Sequence, residues 1–409
     1  MSGATRPLPV ETARRRLLEA VTPVADVETV PLAQACGRVL AEPLHAPCDL
    51  PHWDNSAMDG YALAADGAGA AGEIRLPVIG RALAGHPYRG AVPAGACVRI
   101  TTGAALPEGT DTVIIQEKVR REGDTIVFEG PLRRGENVRR AGEDLRAGEV
   151  AVARGRWLTP LDIALLAALG LAAVPVRRRP RIAVLSSGDE LVPAGTPLPP
   201  GGLYDSNGPM LAALLARLPV EVEPQPPLGD DPAAIETRLR ALAGCCDALL
   251  STGGVSVGDA DHIADVLARI GRIEWHKVAI KPGKPLLFGR IDGTPFFGLP
   301  GNPVSAAVTF LVLLRPALLR LAGVEPPPEP LRLTLPLARA VQKRPGRSEY
   351  LRGRLIEADG GLQFEPFAAQ GSHRLAPLSQ AEALAELAAD RGDTPAGTPV
   401  PVWPLQGLL

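Results

Sequence analysis

With 409 residues, 46% of them hydrophobic, the chain can bury several cores, and at roughly 100–200 residues per domain it predicts two to four domains. Aromatics are only 4%, so those cores rest on Ala, Leu and Val, while 44 glycines and 43 prolines spread among apolar runs indicate turns and short strands rather than disorder. A net charge of −2 with both signs mixed argues against a nucleic-acid partner, and five scattered cysteines without metal or redox spacing argue for a reducing, cytoplasmic setting.

Val10, Ala13, Leu17, Leu18 and Val21 recur at helical spacing and predict an opening amphipathic helix. Arg14-Arg15-Arg16 interrupts any signal-peptide pattern there. Short β-rich segments near 74–79, 97–100, 112–119 and 125–128, separated by Gly and Pro turns, predict a small β-domain. A helix follows, with Thr159 as N-cap, Pro160 at its first position and Gly170 past its end. Pro175–Pro180 reads as a linker. From 181 to 324, strand-like runs (Arg181–Leu185, Asp247–Leu250, Lys277–Ile280) alternate with helical runs (Asn207–Leu218, Pro232–Ala243, His262–Ile270, Pro303–Leu314). That alternation predicts an α/β fold with a parallel sheet covered on both faces. Glu325–Pro330 reads as a second linker, and the tail as a second β-domain. Leu161–Val176 and Val304–Leu314 read as too short or too interrupted to span a bilayer, so no membrane is expected.

Five predicted strands each run into a Gly-rich or charged loop, at the edge where open α/β sheets bind ligands. These loops carry Ser187, Gly188 and Glu190; Asp230 and Asp231; Ser251, Gly253 and Gly254; Lys281 and Lys284; and Gly298 to Pro303. Ser251–Gly258, including Ser256, is either an anion cradle leading into the helix after Asp261 or a plain tight turn. Lysine placement favours anions: the chain has five Lys against 38 Arg, yet Lys277, Lys281 and Lys284 fall within eight residues. Glu190, Asp230 or Asp231, and Asp259 or Asp261 lie on neighbouring loops and suggest Mg²⁺, which uses one or two carboxylates plus phosphate; Asp231 and Asp261 are also good helix caps, the cap being preferred for Asp231 and function for Glu190, Asp230 and Asp261. The isolated histidines argue against zinc.

Asp54-Asn55-Ser56-Ala57-Met58-Asp59-Gly60-Tyr61-Ala62 resembles the signature of molybdopterin molybdenumtransferases, the MoeA-type proteins related to the gephyrin E domain. Thr102-Gly103-Ala104, Val138–Asp144, Ser187–Leu191, Gly253–Gly258, Lys281–Pro285 and Gly298–Pro303 extend the resemblance, and the tail around Gln370-Gly371-Ser372-His373 matches more loosely. The resemblance implies a transferase that inserts molybdate into the dithiolene of adenylylated molybdopterin and releases AMP, with Mg²⁺ bound by Glu190, Asp230 and Asp261. It implies catalytic roles for Asp59, Glu190, Asp230, Asp261, Lys277 and Lys281. Substrate contacts would come from Thr102, Asp144, Ser187, Gly188, Ser251, Gly253, Gly254 and Ser256, and from Lys284, Pro300, Asn302, Arg352 and Ser372. It also implies a homodimer with sites shared between subunits, and a molybdopterin adenylyltransferase as a further partner. The expected parts are a discontinuous dimerisation region (1–55 and 143–178), a β-rich insert (56–142), a molybdopterin-binding-like α/β domain (179–325) and a C-terminal β-barrel (326–409). A receptor-anchoring scaffold and a generic Mg²⁺-dependent nucleotide hydrolase rank below this enzyme.

Overall fold

The computed structural model describes residues 7–68, 72–254, 262–358 and 360–408. At its centre lies a six-stranded sheet, in the order Glu221–Pro224, Arg181–Ser186, Ala248–Thr252, Thr294–Leu299, Leu287–Ile291 and Arg272–His276. The first four strands are parallel; Leu287–Ile291 runs antiparallel to both its neighbours, so the sheet is mixed rather than wholly parallel. Side chains on a strand alternate between faces. Ile182 and Val184 therefore join one core with Leu211, Leu215 and the helix beginning at Pro303, while Ala183 and Leu185 join another with Ile235, Leu239, Ile263 and Val266. Burial on both faces explains why the central strands read as unbroken apolar runs.

Two helices span the expected ranges, Pro232–Ala243 and His262–Ile270. The first is capped by Asp231, whose carboxylate accepts from the backbone N–H groups of Ala233 and Ala234. The helical run from Pro303 continues past Leu314 to Leu321, through a π-turn at Phe310–Leu314 that ends where Pro316 removes a backbone donor. It is long and apolar enough to cross a membrane, contrary to the sequence expectation, but 94% of its apolar window is buried inside the protein. Its hydropathy is that of a core helix, and the opening helix Val10–Ala20 packs against it through Ala13 and Leu17.

The stretch read as a linker after Pro175 is partly strand: Ala173–Arg177 pairs antiparallel with Val27–Pro31. Leu44–His45 likewise pairs with Val150–Val152, and helix Pro160–Ala168 carries a reciprocal cap between Thr159 and Asp162. Between these pairings sits a second six-stranded sheet, ordered Thr112–Ile115, Gly60–Leu63, Cys97–Ile100, Gly72–Ala82, Thr125–Gly130 and Arg120–Glu122.

The C-terminal strands Gly361–Pro366, Ser348–Ala358, Ala383–Leu387, Pro399–Pro404 and Leu333–Pro336 are neighbours in that order. A bridge between Leu337 and Phe364 joins the last to the first and closes a barrel. One expected central strand belongs here instead. Lys277 has a φ of +103°, which turns the chain out after His276. Ile280–Lys281 then pairs with Ser348–Glu349 of the barrel.

Candidate active site

Three of the stretches that carry the family resemblance meet in the β-insert. Asn55–Ser56 pairs with Val138–Arg139, and the Gly103 N–H donates to the Ser56 carbonyl at 2.8 Å. Asp54 accepts from the Ala141 N–H at 2.8 Å and from the Arg140 guanidinium at 2.6 Å. The Ala141 bond is the main cause that holds its carboxyl below the usual range. Asp59 accepts through one oxygen from the Thr102 N–H (2.7 Å) and hydroxyl (2.9 Å). Those two bonds, the backbone one foremost, lower its pKa from the ordinary 3.8. Asp59 is thus a fixed negative charge near neutral pH, while Asp144 is exposed, with its N–H bonded to the Leu50 carbonyl at 3.1 Å. The same loop exposes Trp53 and Met58 to solvent.

A second constellation lies at the carboxyl ends of the central strands, around a cavity of about 400 Å³. Gly253, at φ +85°, brings its strand end against the Ser187 carbonyl, so close that any Cβ there would collide. The Ser187 hydroxyl donates to Asp230 at 3.3 Å, and Asp189 and Asp230 exchange backbone-to-carboxylate bonds of 3.3 and 2.9 Å. Glu190 folds back over Gly188, where a Cβ would lie 2.5 Å from its carboxylate oxygen. These contacts put Ser187, Gly188, Glu190, Asp230 and Gly253 on adjoining loops.

Asn207, Thr252 and Asp205 also belong to the cavity and were missed by the sequence reading. The Asn207 amide donates to the Thr252 hydroxyl (2.9 Å) and the Gly301 carbonyl (2.7 Å), and Thr252 donates to the Pro300 carbonyl at 3.1 Å. Pro300 therefore contributes a backbone acceptor, and Asn302 lines the cavity. The signal was the polar run Tyr204-Asp205-Ser206-Asn207 between a strand and a helix, which read only as a helix start. Three buried groups here, Ser186 Oγ, Ser251 Oγ and Asn207 Oδ1, have no hydrogen-bond partner among the described residues. Each such group costs on the order of 1–3 kcal/mol unless something meets it.

Other expected residues lie apart from this cavity. The Lys281 ammonium pairs with the buried Glu349 at 2.7 Å and faces a separate cavity of about 560 Å³ beside Lys343, Arg344 and Arg347. Lys284 is exposed on the same loop, and Lys277 sits at the turn that precedes it. Arg352 is only 1% exposed and donates to the carbonyls of Arg374 (3.1 Å), Ala369 (3.2 Å) and Gly371 (3.2 Å). Its guanidinium is spent on holding that loop. The Ser372 carbonyl in the loop accepts from the Val304 N–H at 3.1 Å, and His373 reaches the cavity wall. Gly254 closes the described part of its loop; Ser256, Asp259 and Asp261 lie outside the described residues. Among the described residues no group of three His, Cys, Asp or Glu side chains is placed to hold a metal.

A covered α/β sheet with hydroxyls, carboxylates and glycine loops around one cavity at its carboxyl edge has the layout of a small-molecule site. Residues 8–170 match the MoeA N-terminal region (domains I and II), 183–320 a probable molybdopterin binding domain, and 334–405 the MoeA C-terminal region (domain IV). A molybdopterin molybdenumtransferase of Haemophilus influenzae is 38% identical over 98% of this chain and 100% of its own length. One from Synechococcus elongatus is 40% identical over 92% of this chain and 94% of its own. The crystal structure of a molybdopterin biosynthesis MoeA protein from Pyrococcus horikoshii superposes with a TM-score of 0.85 at 30% identity, covering 98% of this chain and 100% of that one. The chain belongs to the molybdopterin molybdenumtransferase family, and with it to the transferases of molybdenum cofactor biosynthesis.

Proposed function

We propose that the enzyme inserts molybdate into the dithiolene of adenylylated molybdopterin and releases AMP, at a site shared between the two subunits of a homodimer. The observation that carries this reading is the sheet-edge cavity, lined by Ser187, Glu190 and Gly253, with Asp230 bonded to the Ser187 hydroxyl behind it. Backbone N–H groups of the glycine turns and the hydroxyls of Ser187 and Ser251 would hold phosphate oxygens, with Thr102 and Asp144 facing them from the partner's insert. Lys277, Lys281 and Lys284 would offset the repulsion between molybdate and the phosphates from the side of the separate cavity that Lys281 lines. Arg352 and Ser372 would act by shaping the cavity wall.

The donor set also suits Mg²⁺, since that ion needs only one or two carboxylates beside phosphate oxygens. Glu190 and Asp230, with Asp261, would hold it. When bound it would neutralise charge on the leaving phosphate. Asp59, kept ionised by Thr102, would approach from the second subunit, and the exposed Trp53 and Met58 beside it suit burial in that contact. The division into 1–55 with 143–178, 56–142, 179–325 and 326–409 follows the same reading. Five free cysteines suit the cytoplasm, where an adenylyltransferase would supply the substrate.

The test is AMP release by the purified protein with Mg²⁺. Release should require both molybdate and adenylylated molybdopterin. Hydrolysis of simple dinucleotides at a comparable rate, with molybdate absent, would make the protein a general nucleotide hydrolase instead.

A further inference from the structure

One end of the sheet-edge cavity is lined by acceptors that the phosphate chemistry does not use. Asp205 ends the segment before helix Asn207–Leu215, and one of its oxygens accepts from the Gly208 N–H at 3.0 Å. A Cβ on Gly208 would lie 2.5 Å from the other carboxylate oxygen and 2.9 Å from Ser186 Oγ. Gly208 has no left-handed φ to explain it, and glycine in a helix costs about 1 kcal/mol relative to alanine. What glycine provides here is the space between two oxygens. Ser186 is 1% exposed and Asn207 9%, both line the cavity, and Ser186 Oγ and Asn207 Oδ1 lack partners among the described residues. Carboxylate oxygens keep lone pairs after one bond, so Asp205 can accept more.

A pterin carries two adjacent N–H donors, the 2-amino group and the ring N3–H, on one edge. A carboxylate accepts such a pair with both oxygens, as it does a guanidinium. We infer that Asp205, supported by Ser186 and Asn207, reads this donor edge. The pterin ring then lies at the Gly208 end of the cavity and the adenylyl phosphates at the Ser187–Gly254 end. The assignment rests on the proposed function for the identity of the substrate.

Two measurements separate the assignment from that function. In the first, a free pterin such as 6-carboxypterin and its 2-oxo analogue, the corresponding lumazine, are titrated into the protein. Wild type should prefer the pterin about 10-fold or more, and Asp205→Asn, which turns an amide donor toward the donor edge, should lose the preference. In the second, Asp205→Asn and Gly208→Ala should raise KM for adenylylated molybdopterin about 10–100-fold, with kcat within about 3-fold and AMP affinity unchanged. Alanine is the better helix former, so Gly208→Ala tests the space without weakening the helix. Equal binding of pterin and lumazine by wild type overturns the assignment. So does an unchanged KM in both variants, or an AMP affinity that falls in step, which would put adenine at Asp205. A wild type that prefers pterin but releases no AMP keeps the assignment and sinks the proposed reaction.

Discussion

In the β-insert, Asp59 meets both donors of Thr102, and Asp54 meets Arg140 and the Ala141 N–H, so that region's carboxylates are settled before any ligand arrives. At the edge of the central sheet, Ser186, Ser251 and Asn207 hold buried oxygens with no partner among the described residues. The insert offers a fixed charge on a rigid turn. Of the three sheet-edge groups, Ser186 and Asn207 line the cavity, where a ligand can meet them. If the two regions serve one site, as proposed, orientation would come from one part and binding energy from the other, and losses on the two sides should look different.

The largest effect is expected from mixing subunits. Asp59→Asn and Glu190→Gln should each lower turnover about 10²–10³-fold while leaving the fold intact. If the insert of one subunit completes the sheet edge of the other, exchanged subunits recover about a quarter of wild-type activity, because about half of the dimers then hold one intact site. Absence of recovery, with exchange confirmed by mass, would place both residues in the same chain's site and dissolve the division between subunits.

Arg352→Ala comes next and sharpens the contrast from a third region. It leaves the carbonyls of Ala369, Gly371 and Arg374 without their donor, so urea unfolding should show a loss of about 3 kcal/mol. A variant as stable as wild type, with a raised KM, would return Arg352 to direct substrate contact.

A smaller effect concerns the charge on Asp59. Its carboxyl sits below 3.8 because Thr102 donates to it. A depressed carboxylate contributes stability above its unfolded value, and the contribution is lost as pH falls through the folded value. Asp59 should therefore stay ionised throughout the neutral range and set no acid limb of turnover above about pH 4. Carbon-detected NMR of the carboxyl should give a midpoint below 3.8 that rises toward it in Thr102→Val. A wild-type midpoint above 3.8 would mean that the insert's charge is not fixed. The smallest effect is Asp231→Ala, which removes a helix cap beside Asp230 and should cost about 1 kcal/mol with turnover within about 2-fold. A large activity loss there would make Asp231 part of the site.

Local signals were legible where they act alone. Asp231-Pro232 starts its helix, and the double-sided burial of the central strands shows as apolar runs. What the sequence does not carry is which strand pairs with which. Val278–Lys281 is apolar and short enough for either sheet, and only the turn at Lys277 decides that it joins the barrel. Pro175 suggested a linker because proline is rare in central strands, but the two-stranded pairing with Val27–Pro31 tolerates it. The site divides the same way. Glycine and charge clusters pointed to Glu190, Asp230 and Gly253. Asn207 and Thr252 are ordinary polar residues that matter through bonds spanning 45 and more positions, and Asp205 bonds only locally, to the Gly208 N–H, while lining the same cavity. Arg352 failed in the other direction, since a sequence cannot tell an arginine that faces solvent from one enclosed by three carbonyls.

The opening helix is tied to the long apolar helix across most of the chain: Arg320 donates to the Val21 carbonyl at 3.4 Å, 299 positions away. Ribosomes add about 5–20 residues per second, so about 15–60 s separate the synthesis of the two partners. During that time Val10, Ala13 and Leu17 lack the long apolar helix that completes their core. Helix Val10–Ala20 is made long before the helix that covers it, and a nascent chain halted before Phe310 would leave much of that stripe in water.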